Sequence, residues 1–328
     1  MTNNFLASVR SLFGAARFPA DNATEPAQVT RSKVAVIVYD PIMDASTGVT
    51  LSQQMKWYNP SDLLTGFMSD LLEVSKGMAR YEIVNRINLS EFPAKTDGFR
   101  YTPQTYLDVL RGVATPHTPS EVDYYAILTK HNILQRVARN EVDEVWIFGF
   151  PHAGFYESIM AGPGAFWCNS KPLTNTAASK RRFIIMGFSY ERFIGEMLES
   201  YGHRAESIME KTFSKTTGEA NLWKRFIRYE KSAPGKAACG NVHYAPNSQI
   251  DYDWGNTAPV KSECYDWRLN FPNFKGDVRM VSSAEWGKGD IRAHHKWWFS
   301  HFPSVAGRKN GVHNNWWQYI AAPQNVLV

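Results

Sequence analysis

Between residues 34 and 211, apolar β-branched runs alternate with amphipathic stretches at helical spacing. No other feature of the chain constrains its fold as much. Val34-Ala35-Val36-Ile37-Val38-Tyr39 is a continuous apolar run that ends at Asp40-Pro41, the pattern of a strand buried on both faces. Residues 81–89, 143–149 and 182–188 predict three further strands. Pro60-Ser61-Asp62 opens a helix that places Leu63, Leu64, Phe67, Leu71 and Leu72 on one side and stops at Lys76-Gly77. Thr102-Pro103 starts another helix. Residues 123–140 read as one longer helix and residues 190–211 as the longest. Residues 150–175 read as irregular. Strands alternating with helices imply an α/β fold with a mostly parallel sheet and flanking helices.

From about residue 235 turn residues and aromatics take over. Seven of the 11 Trp fall between Trp254 and Trp317. This loop-rich, Trp-rich C-terminal third is expected to pack on the sheet layer rather than fold alone. The expected organisation is a leader and linker over 1–33, then one α/β unit over 34–328, with its layer in 34–234 and its wrap in 235–328. Residues 1–20 contain Arg10 and Arg17, no acid, and an amphipathic run, the composition of a targeting leader or an interfacial helix.

At 44% hydrophobic and 14% aromatic, the chain is too apolar for disorder, and it holds no apolar stretch long enough to span a bilayer. Its +5 net charge is well mixed. The densest basic run, Lys180-Arg181-Arg182, reads as a solvated turn before a strand, so no nucleic-acid partner is expected. Cys239 and Cys264 bracket a loop-rich segment, either as a disulfide or as buried thiols. No CxxC spacing marks a zinc knuckle.

The 191–210 helix is the most informative for chemistry. At 100° per residue, Glu196, Glu199, His203, Glu206 and Glu210 share a stripe about 80° wide, opposite an apolar face. Glu199 and His203 lie one turn apart and can share a ligand. Such a face also suits a solvated helix surface. A second constellation, Phe150-Pro151-His152-Ala153-Gly154-Phe155-Tyr156-Glu157, directly follows a buried strand. Sites in α/β sheets gather at such ends, where His152, Glu157 and Asp40 can meet. A third is the polar loop holding His243, Asn247, Asp251 and Trp254. A fourth is 292–317, where four His and four Trp cluster. Most of those Trp are expected in the core, while Trp297 is a candidate substrate contact and His294 or His301 a candidate to reach a site.

Glu199-Ser200-Tyr201-Gly202-His203 resembles the active helix of zincin-type metallopeptidases, whose pattern is His-Glu-x-x-His, often with Gly before the second His. The order strand, Gly-rich edge segment, strand, helix over 143–206 is similar as well. Glu199 stands where the first His should be, and Ser200 where the catalytic Glu should be. The resemblance implies His203 as a ligand, Glu199 as the second, and Glu196 or Glu206 as base. His243 is a third-ligand candidate by residue type.

The expected function is therefore a hydrolase that uses Zn2+ on Glu199, His203 and His243 to cleave a peptide or related acyl bond. The alternative is a metal-free glycoside hydrolase with Glu157 and Glu191 as its carboxylate pair and Trp- and Tyr-lined sugar subsites. A third possibility is a non-catalytic module that binds a glycan or a protein.

Overall fold

The computed structural model describes residue 21 and residues 24–327; the amphipathic leader lies outside the described residues. Five strands form one sheet: β1 (Thr30–Tyr39), β2 (Ala79–Leu89), β3 (Glu144–Gly149), β4 (Ser158–Ala161) and β5 (Phe183–Ser189). Their order is β2-β1-β3-β5-β4. All neighbours are parallel except β4, which closes one edge antiparallel to β5. The α/β fold and mostly parallel sheet are as the periodicity implies. β3 is buried at every position, consistent with its unbroken apolar run.

Helices α1 (Pro60–Val74), α2 (Pro103–Leu110), α3 (Tyr124–Lys130), α4 (Ile133–Ala138), α5 (Ile194–Thr212) and α6 (Ile291–Ser300) surround the sheet. The expected single helix over 123–140 is two. His131 ends α3, and Asn132 takes a left-handed φ of 53° that breaks the hydrogen-bond ladder. The expected irregular stretch 150–175 contains β4, whose four residues are too few to show a period. Phe67 of α1 seats the helix against the sheet. Its ring lies 5.3 Å from Trp146, 5.2 Å from Phe188 and 5.9 Å from Tyr201 of α5.

The C-terminal third packs onto this layer. Arg292 of α6 forms a bidentate pair with Asp70 of α1, and Arg204 of α5 donates to the Ile320 carbonyl. Arg204 is fully buried and also pairs with Glu144, which accepts from the Trp146 indole as well. Residues 25–33 are not a loose linker. Glu25 pairs with Arg308, Asn315 donates to the Gln28 carbonyl, and β1 already begins at Thr30. The basic run is not a solvated turn either. Arg181 pairs with Asp143 at 2.7 Å, and buried Arg182 donates to the Val326 carbonyl. Cys168, Cys239 and Cys264 are all buried free thiols, so the disulfide alternative does not hold. Burial pushes the Cys264 thiol up to about 11 and the Cys239 thiol well above its usual range, which leaves no ready nucleophile there. No helix among the described residues is long and apolar enough to cross a membrane.

Candidate metal centre

α5 starts where Glu196, at its third position, reaches back to accept from the Phe193 N–H at 3.2 Å. Its apolar side, from Ile194 to Met209, is buried against the sheet and α6. Glu199 is also buried, at 6% exposure, and among the described residues no Lys or Arg pairs with it. A carboxylate in such a place is expected to meet a cation or strong donors.

Those donors come from a loop 40 residues on. The His243 Nε2 atom lies 3.1 Å from His203 Nε2 and 3.2 Å from Glu199 Oε1. The three ligand atoms lie within 4.8 Å of one another. Donors around a tetrahedral zinc with bonds near 2.0–2.1 Å sit about 3.3 Å apart, which the two His243 separations match.

Gly202 makes this approach possible. A Cβ there would stand 2.4 Å from Val242 Cγ2, so any larger residue would push away the strand of loop that carries His243. The loop itself turns at Gly240 (φ 71°), where a Cβ would strike the Tyr244 carbonyl oxygen. Asn241 Oδ1 then accepts from the His243 and Tyr244 N–H groups, and Trp298 of α6 donates its indole N–H to the Gly240 carbonyl.

Each imidazole has a carboxylate behind it. His203 Nδ1 lies 3.1 Å from Glu206 Oε2, whose other oxygen accepts from the Val242 N–H. His243 Nδ1 lies 3.0 Å from Asp251 Oδ1. A carboxylate only accepts, so His203 Nδ1 carries the hydrogen toward Glu206 and its Nε2 presents a lone pair in the neutral ring. His243 sets its two nitrogens between two carboxylates, Nδ1 toward Asp251 and Nε2 toward Glu199 and His203. Such a centre attracts positive charge. Burial alone would lower His203, but Glu206, Glu157 and Glu199 raise it overall. The Glu199 bond raises His243. Burial would raise Glu199, yet His243, Tyr252 and His295 hold it below the usual carboxylate range.

Tyr252 completes the arrangement. Its hydroxyl lies 3.0 Å from Glu199 Oε1 and 3.2 Å from His243 Nε2. The motif Asp251-Tyr252-Asp253-Trp254 marked this loop, but no spacing rule singles out its tyrosine. An open cleft of about 700 Å³ holds Glu199, His203, His243 and Tyr252 together with Glu157, Glu191, Arg192 and Glu196.

The remaining expected site residues are distributed as follows. His152 lines a recess next to the cleft. Glu206 and Asp251 orient the imidazoles and are not on the cleft wall. Asp40 accepts from the Ser52 backbone and hydroxyl and fixes a short helix. Asn247 is buried and braces its loop through the Asn256 and Ala258 carbonyls. Trp254 is buried and stacks on His294, and Trp297 packs against Trp286 and His301. His294 and His301 are buried and line neither space, contrary to the expectation that one reaches a site. Six of the seven Trp between 254 and 317 are buried, Trp297 being half-buried, so this third lends the cleft no tryptophan wall. No protein-family model, curated protein or solved structure matches the chain.

Proposed function

We propose that the protein is a metal-dependent hydrolase, with zinc held by Glu199, His203 and His243, that cleaves a peptide or related acyl bond. One observation carries this reading. His203 Nε2, His243 Nε2 and the buried Glu199 carboxylate converge as three potential ligand atoms within 4.8 Å of one another, each imidazole with a further carboxylate at its Nδ1. Nitrogen-rich donor sets of this kind favour zinc among the common divalent ions. Carboxylates behind ligating histidines fix ring orientation and raise ligand basicity. The order along the chain gives further support: strand β3, edge strand β4, strand β5, then the helix bearing the ligands, as the zincin-like segment implies.

When bound, the ion supplies Lewis acidity toward a water or an acyl oxygen. Glu196 lies one turn before Glu199 on the same helix face and lines the cleft, and it takes the proton of the attacking water. Tyr252 donates its hydroxyl hydrogen to the oxygen that becomes negative. Glu206 and Asp251 keep their imidazoles aimed while charge moves.

The test is metal analysis of purified protein, followed by zinc titration of the chelated form. One zinc per chain is expected, lost in His203→Ala while the far-UV spectrum is retained. Absence of stoichiometric uptake by the folded wild-type protein refutes the reading.

A further inference from the structure

A second recess opens beside the cleft, between the ends of β3 and β5 and the first turns of α5. Its volume is about 270 Å³, the scale of one side chain. Phe150, Phe155, Phe188 and Met197 make its apolar lining. Glu157, Glu191 and Glu196 belong both to this recess and to the cleft with the three ligands, so they form the shared mouth.

These carboxylates are incompletely used. Glu157 spends one oxygen on the Asn169 amide and Glu196 one on the Phe193 N–H. Glu191 has no ion pair or side-chain hydrogen bond among the described residues. Arg192 shares the mouth and forms no ion pair with any of the three. The chain as a whole is net positive, so this three-to-one excess of acid is local.

The lining is also set rigidly. Buried Lys95 donates to the His152, Ala153 and Ser120 carbonyls, and the Tyr106 hydroxyl donates to the Pro151 carbonyl. The nearest buried ammonium is thus committed to backbone and does not neutralise the mouth.

His152, Ser189 and Ser200 line the recess too, so aromatic and methionine surface stands beside polar groups and the three carboxylates. Such a mixed recess suits a side chain with a methylene stem and a cationic head. We infer that this recess is a specificity pocket that takes a lysine or arginine side chain next to the bond cleaved. The inference rests on the hydrolase reading for its link to cleavage, and on the recess alone for its charge preference.

Two titrations test it. Zinc-loaded protein is titrated calorimetrically with the hydroxamates of lysine, norleucine and glutamate, which share the ion-seeking group and differ only in side chain. Lysine is expected to bind at least ten-fold tighter than norleucine, with glutamate weakest. Because the mouth is exposed, the lysine preference shrinks in high salt. Glu191→Lys brings lysine down to the level of norleucine. Equal binding of lysine and norleucine, or an undiminished preference in Glu191→Lys, overturns the inference. Metal-free protein is then titrated by NMR with the N-acetyl amides of lysine and norleucine, which need no ion. If zinc uptake fails but lysine is still preferred, the hydrolase reading falls and the cationic pocket stands. No preference in this arm overturns the pocket itself.

Discussion

Replacing Glu206 by Gln keeps the size of the side chain and removes its charge. In the native site one oxygen accepts from His203 Nδ1 at 3.1 Å and the other from the Val242 N–H at 3.2 Å. Glutamine offers one oxygen and one NH2, so one of these donors is left facing another donor. The variant therefore loses the charge-assisted bond that aims His203, or the tie to the residue before His243. Such partners of a ligating histidine are worth about 10–100-fold in metal affinity, or roughly 1.4–2.7 kcal/mol. Zinc affinity should be measured by competition with a chelator of known strength, alongside thermal melts with and without zinc. The expected result is a 10–100-fold weaker zinc complex and a smaller zinc-induced rise in melting temperature, with the metal-free melt little changed. Glu210→Gln on the same helix is the control, since Glu210 is exposed and among the described residues pairs only with Lys224, at 3.7 Å. If Glu206→Gln binds zinc within two-fold of wild type, the carboxylate does not orient the ligand and the reasoning from tautomers fails.

Three further outcomes are expected. Gly202→Ala should displace the Val242–His243 segment and weaken zinc binding at least ten-fold while circular dichroism stays native, because its Cβ would stand 2.4 Å from Val242 Cγ2. Arg204→Met should lower stability by about 3–5 kcal/mol in urea unfolding, since it leaves Glu144 buried without its partner; a loss below about 1 kcal/mol would contradict the assignment. Burial holds His301 near a pKa of about 4, against about 6.5 for an unfolded histidine, with its Nδ1 donating to the Trp297 carbonyl. The folded pKa is the lower one, so this contribution is complete above pH 6.5. It is lost as pH falls from 6.5 toward 4, by about 3 kcal/mol in all. His301→Phe should flatten that part of the stability-versus-pH curve.

The sheet and its helices were largely legible because β1, β3 and β5 are dense apolar runs, β2 alternates, and each long helix has one apolar side; β4 was too short to show. Glu199 and His203 were legible for a related reason: a helix converts a four-residue spacing into adjacency. His243 could be named only by residue type, since its position depends on the Gly240 turn, the Asn241 bonds and the notch at Gly202. Tyr252 gave no signal, because its hydroxyl reaches the centre through a loop whose path no local rule sets. Glu206 was read as a possible base and Asp251 as part of a binding loop, but their places behind the imidazoles depend on ring orientation. Most of the Trp cluster is in the core as expected, filling the interface between α6, the loops and the sheet, but Trp297, the expected substrate contact, packs against Trp286 and His301 instead. The break at Asn132 was missed because Asn enters the left-handed region at little cost while leaving the apolar period intact.

The centre also bears on the order in which the chain assembles. Glu199 and His203 stand on α5, whereas His243 sits 40 residues on in a loop anchored by Trp298 through the Gly240 carbonyl. A chain emerging from the ribosome therefore has two ligands in place well before the third, and the third is secured only after α6 has docked. On the proposed function, an ion would then be captured late, as a seal on a finished molecule rather than a nucleus for its folding. A copy whose C-terminal third failed to dock would lack His243 at the centre.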